Sequence, residues 1–132
     1  MEAVRIKLAS LWTSVMFCYI YADYFGLYVP GRLQRMQKGT MGPLGSVTQG
    51  VLLGTSAVMV VPSIMIFLSV ALTPKLARWL NVVFGALYTL IILMTMWRWA
   101  FYVFYGVVEI VLTLLVVVYA WRWRDSAAEP SA

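Results

Sequence analysis

Residues 76–123 read LARWLNVVFGALYTLIILMTMWRWAFYVFYGVVEIVLTLLVVVYAWRW, an apolar run without a proline or a polar loop. As one helix it would measure ~70 Å at ~1.5 Å per residue, more than twice the ~30 Å hydrocarbon layer of a bilayer. It therefore reads as two spans. The division falls at Trp97-Arg98-Trp99, because paired indoles around a cation belong at the headgroup level. No Gly or Pro marks that turn, so its boundary is open by several residues. Upstream, Thr73-Pro74-Lys75 separates this run from a second one over Val47–Leu72. The polar stretch Val29–Ser46, opened by Pro30-Gly31 and closed by Gly42-Pro43-Leu44-Gly45, separates that from a first run over Leu8–Tyr28. The expected fold is all-α: a single membrane domain over 1–132, a four-helix transmembrane bundle with helices near 8–28, 47–72, 76–96 and 99–123. An outer loop covers 29–46 and a polar tail 124–132.

Composition points the same way. The 132 residues are 63% hydrophobic and 11% charged, with a mean hydropathy of +0.86, where soluble domains average about 45–50% apolar. So few ionic groups cannot cover a globular core. With no His, and Cys18 as the one cysteine, the chain has no ligand set for zinc or bis-His haem and no intramolecular disulfide. The eight Met residues are scattered, which does not suggest a copper site. No metal and no cofactor is expected. The net charge of +5 comes from basic residues spread in ones and twos at the ends of apolar runs, a membrane-anchoring pattern and not a nucleic-acid groove.

Four spans return the chain to the side where it began. That side carries Arg5, Lys7, Lys75, Arg78, Arg122 and Arg124, against Arg32, Arg35, Lys38 and Arg98 on the other, which puts both termini in the cytoplasm. The first span is expected to stay uncleaved, since a signal-peptide core would run on for about twenty residues and carry Asp23 before any small-residue cleavage site. The two halves differ in loop length and in the placement of acids, so no inverted repeat is expected.

Two carboxylates lie inside spans, Asp23 and Glu109, where a charge costs roughly 2.5 kcal/mol or more and such residues face the bundle interior. Glu109 falls ~15 Å below the Trp99 belt and Asp23 ~8 Å below Tyr28. Helical spacing groups Trp12, Met16, Tyr19, Asp23 and Leu27 on the first span, and Tyr102, Tyr105, Glu109, Leu112 and Val116 on the fourth. On the third, Asn81, Gly85, Tyr88 and Thr95 make a small and polar stripe, and on the second Gly50, Gly54 and Ala57 make a small-residue ridge suited to close helix approach. Together these outline a pocket in the outer half lined by Tyr19, Asp23, Tyr88, Tyr105 and Glu109, with Asn81 and Arg98 as further candidates. Two readings stand for each acid. It either fixes helix register as a hydrogen-bonded partner of a Tyr or of Arg98, or it handles a proton or cation. The ridge similarly serves either packing within one chain or an oligomer contact. In the outer loop, Leu33 and Met36 share one face of a short helix ringed by Arg32, Arg35 and Lys38 with Gly39 as its cap. That segment reads as a piece lying on the bilayer surface, or as a gate or headgroup site above the pocket.

Leu11-Trp12, Tyr19–Asp23, Pro30-Gly31, Met59–Pro62, Ile64–Ser69 and Arg78–Asn81, with Glu109, Thr113, Trp121 and Trp123, resemble a family of small four-helix bacterial membrane proteins of unknown function. A looser similarity is to DoxX-like four-helix proteins. The resemblance implies four spans and a bacterial inner (cytoplasmic) membrane, and it supplies no chemistry. Small multidrug exporters have a similar size and span number, but their essential acid comes early in the first helix, and here Asp23 comes late. Three functions follow as expectations: a non-enzymatic bundle binding a lipid or a partner protein; a small proton- or cation-linked carrier using Asp23 and Glu109, working as a homo-oligomer; and a lipid-modifying enzyme with Glu109 or Asp23 as acid and Tyr88 as partner.

Overall fold

Proline and a hydroxyl cap set two of the helix starts. Pro74 sits in the first turn of its helix, where a missing N–H costs nothing, and Thr48 accepts a 3.1 Å bond from Val51 N at the start of another. The computed structural model describes residues 2–41 and 44–123. It contains α1 (Ala3–Gly26), α2 (Arg32–Gln37), α3 (Gln49–Ala71), α4 (Pro74–Thr95) and α5 (Ala100–Trp121). All but the short α2 are long and apolar enough to cross a membrane, so the protein is a four-helix transmembrane bundle. Gly42 and Pro43 of the loop closure, and Arg124 with the rest of the polar tail, lie outside the described residues.

The first helix starts ahead of the apolar run because Arg5 has partners there. Its guanidinium bonds Glu2 Oε1 at 3.2 Å and the Ser69 carbonyl at 3.1 Å, and lies over the Trp123 ring. A charged residue so matched belongs to the helix. Trp123 Nε1 in turn donates to Glu2 Oε2 at 2.9 Å, holding the start of α1 to the residue just past α5 at one end of the bundle. Arg78 donates to the carbonyls of Ala120 and Trp121 at 3.1 and 3.0 Å. Arg5 and Arg78 thus each bring a cation to the C-terminus of a neighbouring helix, where the dipole favours it. The apolar core of Leu8, Trp12, Met65, Ala77, Val116, Ala120 and Trp123 fills this same end, with Tyr88 at its inner edge.

Around the bundle α1 packs on α3 and α5, α4 packs on α5, and the α3–α4 contact is sparser than these three. Two glycines explain the close α4–α5 pair. A Cβ at Gly85 would meet Val117 Cγ2 at 2.9 Å and the Thr113 carbonyl at 3.3 Å, and one at Gly106 would meet Met96 Cβ at 2.6 Å. Buried Met96 seats the turn against Gly106, which is how the chain reverses at 96–99 without a glycine or proline in the turn.

The expected ridge on α3 is corrected. Gly50, Gly54 and Ala57 are all exposed, and nothing lies within 4 Å of a Cβ placed on Gly54. Pro62, Met65 and Ser69 are the buried residues of α3, all in its second half, so the ridge faces outward. The inner stripe of α5 is also rotated from its expected course. It runs Gly106, Glu109, Thr113, Val116, Ala120, because close approach to α4 selects the small side chains in place of Tyr102, Tyr105 and Leu112.

Gly85→Leu should therefore lower stability in detergent by about 1–3 kcal/mol through overpacking, whereas Gly54→Leu should melt like the parent. Circular-dichroism melts of the two variants check this.

Candidate functional site

The polar residues of the closed end are matched to one another. Trp12 Nε1 donates to Asn81 Oδ1 at 2.7 Å, and Asn81 Nδ2 donates to Ser69 Oγ at 3.2 Å and to the Ala77 carbonyl at 2.8 Å. Asn81 is fully buried in this network. It shares the α4 stripe with Gly85 and Tyr88, yet it is not among the residues lining the cavity described next, so its bonds tie α1, α3 and α4 together.

Toward the loop end the bundle opens around a cavity of about 210 Å³. Tyr19 and Asp23 from α1, Tyr88 from α4, Arg98 from the turn, and Tyr105 and Glu109 from α5 line it together with Tyr102. Six of the seven residues expected at the site thus converge, and Asn81 does not. Asp23 stands at the open side, because the buried stripe of α1 passes through Ala22 and Gly26 and the next residue is rotated by about 100°. Thr95, also expected on the inner stripe, is exposed and lies at the neck.

The two acids differ in setting but share one property: among the described residues, neither carboxyl accepts a hydrogen bond. Glu109 is only 6% exposed. Below it, Thr113 Oγ1 reaches its backbone carbonyl at 3.0 Å, and Thr89 Oγ1 bonds Thr113 Oγ1 at 2.6 Å, so the helix is stitched while the carboxyl stays free. The Tyr19 hydroxyl is buried without a partner. Such groups are rare in folded proteins, and each calls for an explanation.

Above the neck lies a second chamber of about 500 Å³, walled by Arg32, Arg35 and Arg98 with Met36, Leu44 and Trp99. Thr95, Arg98 and Tyr102 border both chambers. Arg32 donates to the Tyr102 hydroxyl, and Arg98 lies over the same ring at 5.8 Å. The α2 segment leaves Leu33 exposed and off the chamber, while Arg32, Arg35 and Met36 line it. Arg98 makes no bond to either acid, contrary to the pairing weighed from sequence.

Tyr102 and Arg32 were missed as site residues, and so was a backbone group. Pro62 lies inside α3 and has no N–H, which leaves the Val58 carbonyl, four residues earlier, without its helical donor. The Tyr88 hydroxyl donates to that carbonyl. The proline was the signal, since an interior proline always frees the carbonyl four positions back. Tyr88 is therefore already occupied, and its ring packs edge-on to Trp12 with centroids 6.2 Å apart.

Tyr88→Phe should destabilise the bundle by about 1 kcal/mol through the orphaned carbonyl. In a Pro62→Ala background, where residue 62 regains its N–H, the same change should cost close to nothing. A double-mutant cycle on detergent melts reads this coupling.

No curated protein and no solved structure matches the chain. One family model covers residues 2–129, nearly everything described above including both chambers. A match over nearly the whole length shows that the chain belongs to the Family of unknown function (DUF6326).

Proposed function

We propose that the protein is a non-enzymatic bundle that binds a lipid in the outer half of a bacterial cytoplasmic membrane. One observation carries the reading: the Tyr19 hydroxyl is buried without a partner beside a cavity onto which the Glu109 carboxyl, itself without a hydrogen bond among the described residues, opens. A polar group in hydrocarbon is stable only when matched, so a bound molecule that donates hydrogen bonds supplies what the chain withholds. Access from the membrane is through the sparse α3–α4 side, where Val58, Met59 and Ile91 edge the cavity. Catalysis is not favoured, because Tyr88 is committed to the Val58 carbonyl and leaves the acids without a paired hydroxyl from that residue.

The test is retention of lipid through detergent purification, quantified by mass spectrometry of extracts. The parent should carry stoichiometric phospholipid. Thr95→Trp, which places an indole in the neck, should lower it about tenfold while circular dichroism shows the helices intact. Equal lipid in both proteins, or none in the parent, rejects the reading.

The carrier alternative draws on the fact that Asp23 and Glu109 line the same cavity. Liposomes containing the parent should then dissipate an imposed pH gradient faster than liposomes with Asp23→Asn/Glu109→Gln, and equal rates reject it. The reading has both termini in the cytoplasm, which the Lys and Arg distribution favours. Reporter fusions after Leu44 and after Trp123 check this, and an external C-terminus overturns it.

A further inference from the structure

The two chambers carry opposite chemistry and meet at a shared wall. Outside, Arg32, Arg35 and Arg98 bring three guanidinium groups to one space. The one ion pair among the described residues, Glu2 with Arg5, is at the far end of the bundle. Arg35 and Arg98 donate no side-chain hydrogen bond to any described residue, so their forks are free for an anion, and guanidinium geometry suits phosphate oxygens. Inside, the buried Glu109 carboxyl, Asp23 and the unpartnered Tyr19 hydroxyl offer acceptors beside the rings of Tyr102 and Tyr105. This is a setting for a cation with N–H donors. Because Thr95, Arg98 and Tyr102 border both chambers, an anion in one and a cation in the other can belong to one molecule.

A third feature extends the pattern. Along the outward face of the first half of α3, Gly50, Val51, Gly54, Thr55 and Val58 form an apolar groove with Leu44. Leu44 also borders the outer chamber and Val58 the inner one. Small residues at Gly50 and Gly54 hollow a strip of helix surface on which no other described residue packs closely. It starts where a phosphate in the outer chamber would leave its glycerol.

Resting on the lipid-binding reading above, we propose that the ligand is an aminophospholipid, a diacyl lipid whose phosphodiester carries a two-carbon primary amine. The phosphate lies among Arg32, Arg35 and Arg98. The headgroup folds inward past Thr95, its ammonium donates to Glu109 and the Tyr19 hydroxyl with Asp23 as second anion, and one acyl chain lies in the α3 groove. Donor number sets the choice of amine. A primary ammonium has three N–H donors, whereas a trimethylammonium has none and would leave Glu109 and Tyr19 as unmatched as before. A glycerol headgroup satisfies the arginines but brings no cation to the acids. A headgroup carboxylate would face Asp23 and Glu109 with like charge.

Native mass spectrometry of the full chain in detergent, titrated with dioleoyl lipids bearing ethanolamine, choline or glycerol headgroups, tests the proposal. The ethanolamine lipid should bind about tenfold more tightly than either of the others. Glu109→Gln should collapse that ratio to about one, whereas Arg35→Gln and Gly54→Leu should each weaken all three lipids alike. Free phosphoethanolamine should not compete at equal concentration, because it has no chain for the groove. Equal binding of the choline and ethanolamine lipids, or an undiminished ratio in Glu109→Gln, overturns the headgroup assignment and leaves lipid binding standing. Competition by free phosphoethanolamine equal to that of the lipid overturns the chain groove. Binding of none of the three lipids removes both proposals.

Discussion

Hydrocarbon provides no hydrogen bonds, so every polar group inside a bilayer must find its partner within the protein or in something the protein holds. This constraint divides the bundle into two halves. In the half near the termini the matching is complete: Trp12, Asn81 and Ser69 serve one another, and Arg5 and Arg78 serve the carbonyls at the ends of α3 and α5. In the half near the loop it is left incomplete at Tyr19, Asp23 and Glu109. The first half holds the helices together. The second is the place where the chain is open to a ligand.

Pro62 connects the two halves. An interior proline frees a carbonyl, and here the freed group is taken by Tyr88, which stands at the boundary between core and cavity. Past that point toward its start, α3 buries none of its residues, and its contact with α4 is slight. The proline thus marks where α3 stops contributing to the core and starts forming a wall. One hydroxyl fixes the position of that wall, so the cavity's opening is tied to the same residue whose ring packs on Trp12.

Arginine appears at both ends of the bundle in different roles. Arg5 and Arg78 address helix C-termini and stack on Trp123, Trp79 and Trp121, which makes them parts of the framework. Arg35 and Arg98 reach no helix C-terminus and face a chamber, Arg98 with its guanidinium over the Tyr102 ring. Composition counts these residues alike. Their difference lies in whether a helix end is within reach, because a carbonyl terminus neutralises a guanidinium and a vestibule does not.

The sequence by itself determined the class and the spans. Apolar length demanded two crossings over residues 76–123, Thr73-Pro74-Lys75 marked the break before them, and helical spacing grouped Tyr19 with Asp23 and Tyr105 with Glu109, which together with Tyr88 line one cavity. Periodicity alone left open which side of a stripe is inward, since several faces of each span are apolar and lipid is as good a solvent for Leu as a neighbouring helix is. That is why the Gly50 and Gly54 ridge was open to packing within the chain when it faces outward, why Gly106 went unnoticed beside the expected Gly85, and why Leu112 was placed inward where Thr113 is. Depth was equally hidden: Asn81 and Tyr88 share a stripe, but one meets Trp12 and the other meets the cavity. Only the tertiary structure decided which polar groups have partners, because a partner across the bundle is a matter of distance between helices, and no pattern within a single helix encodes that.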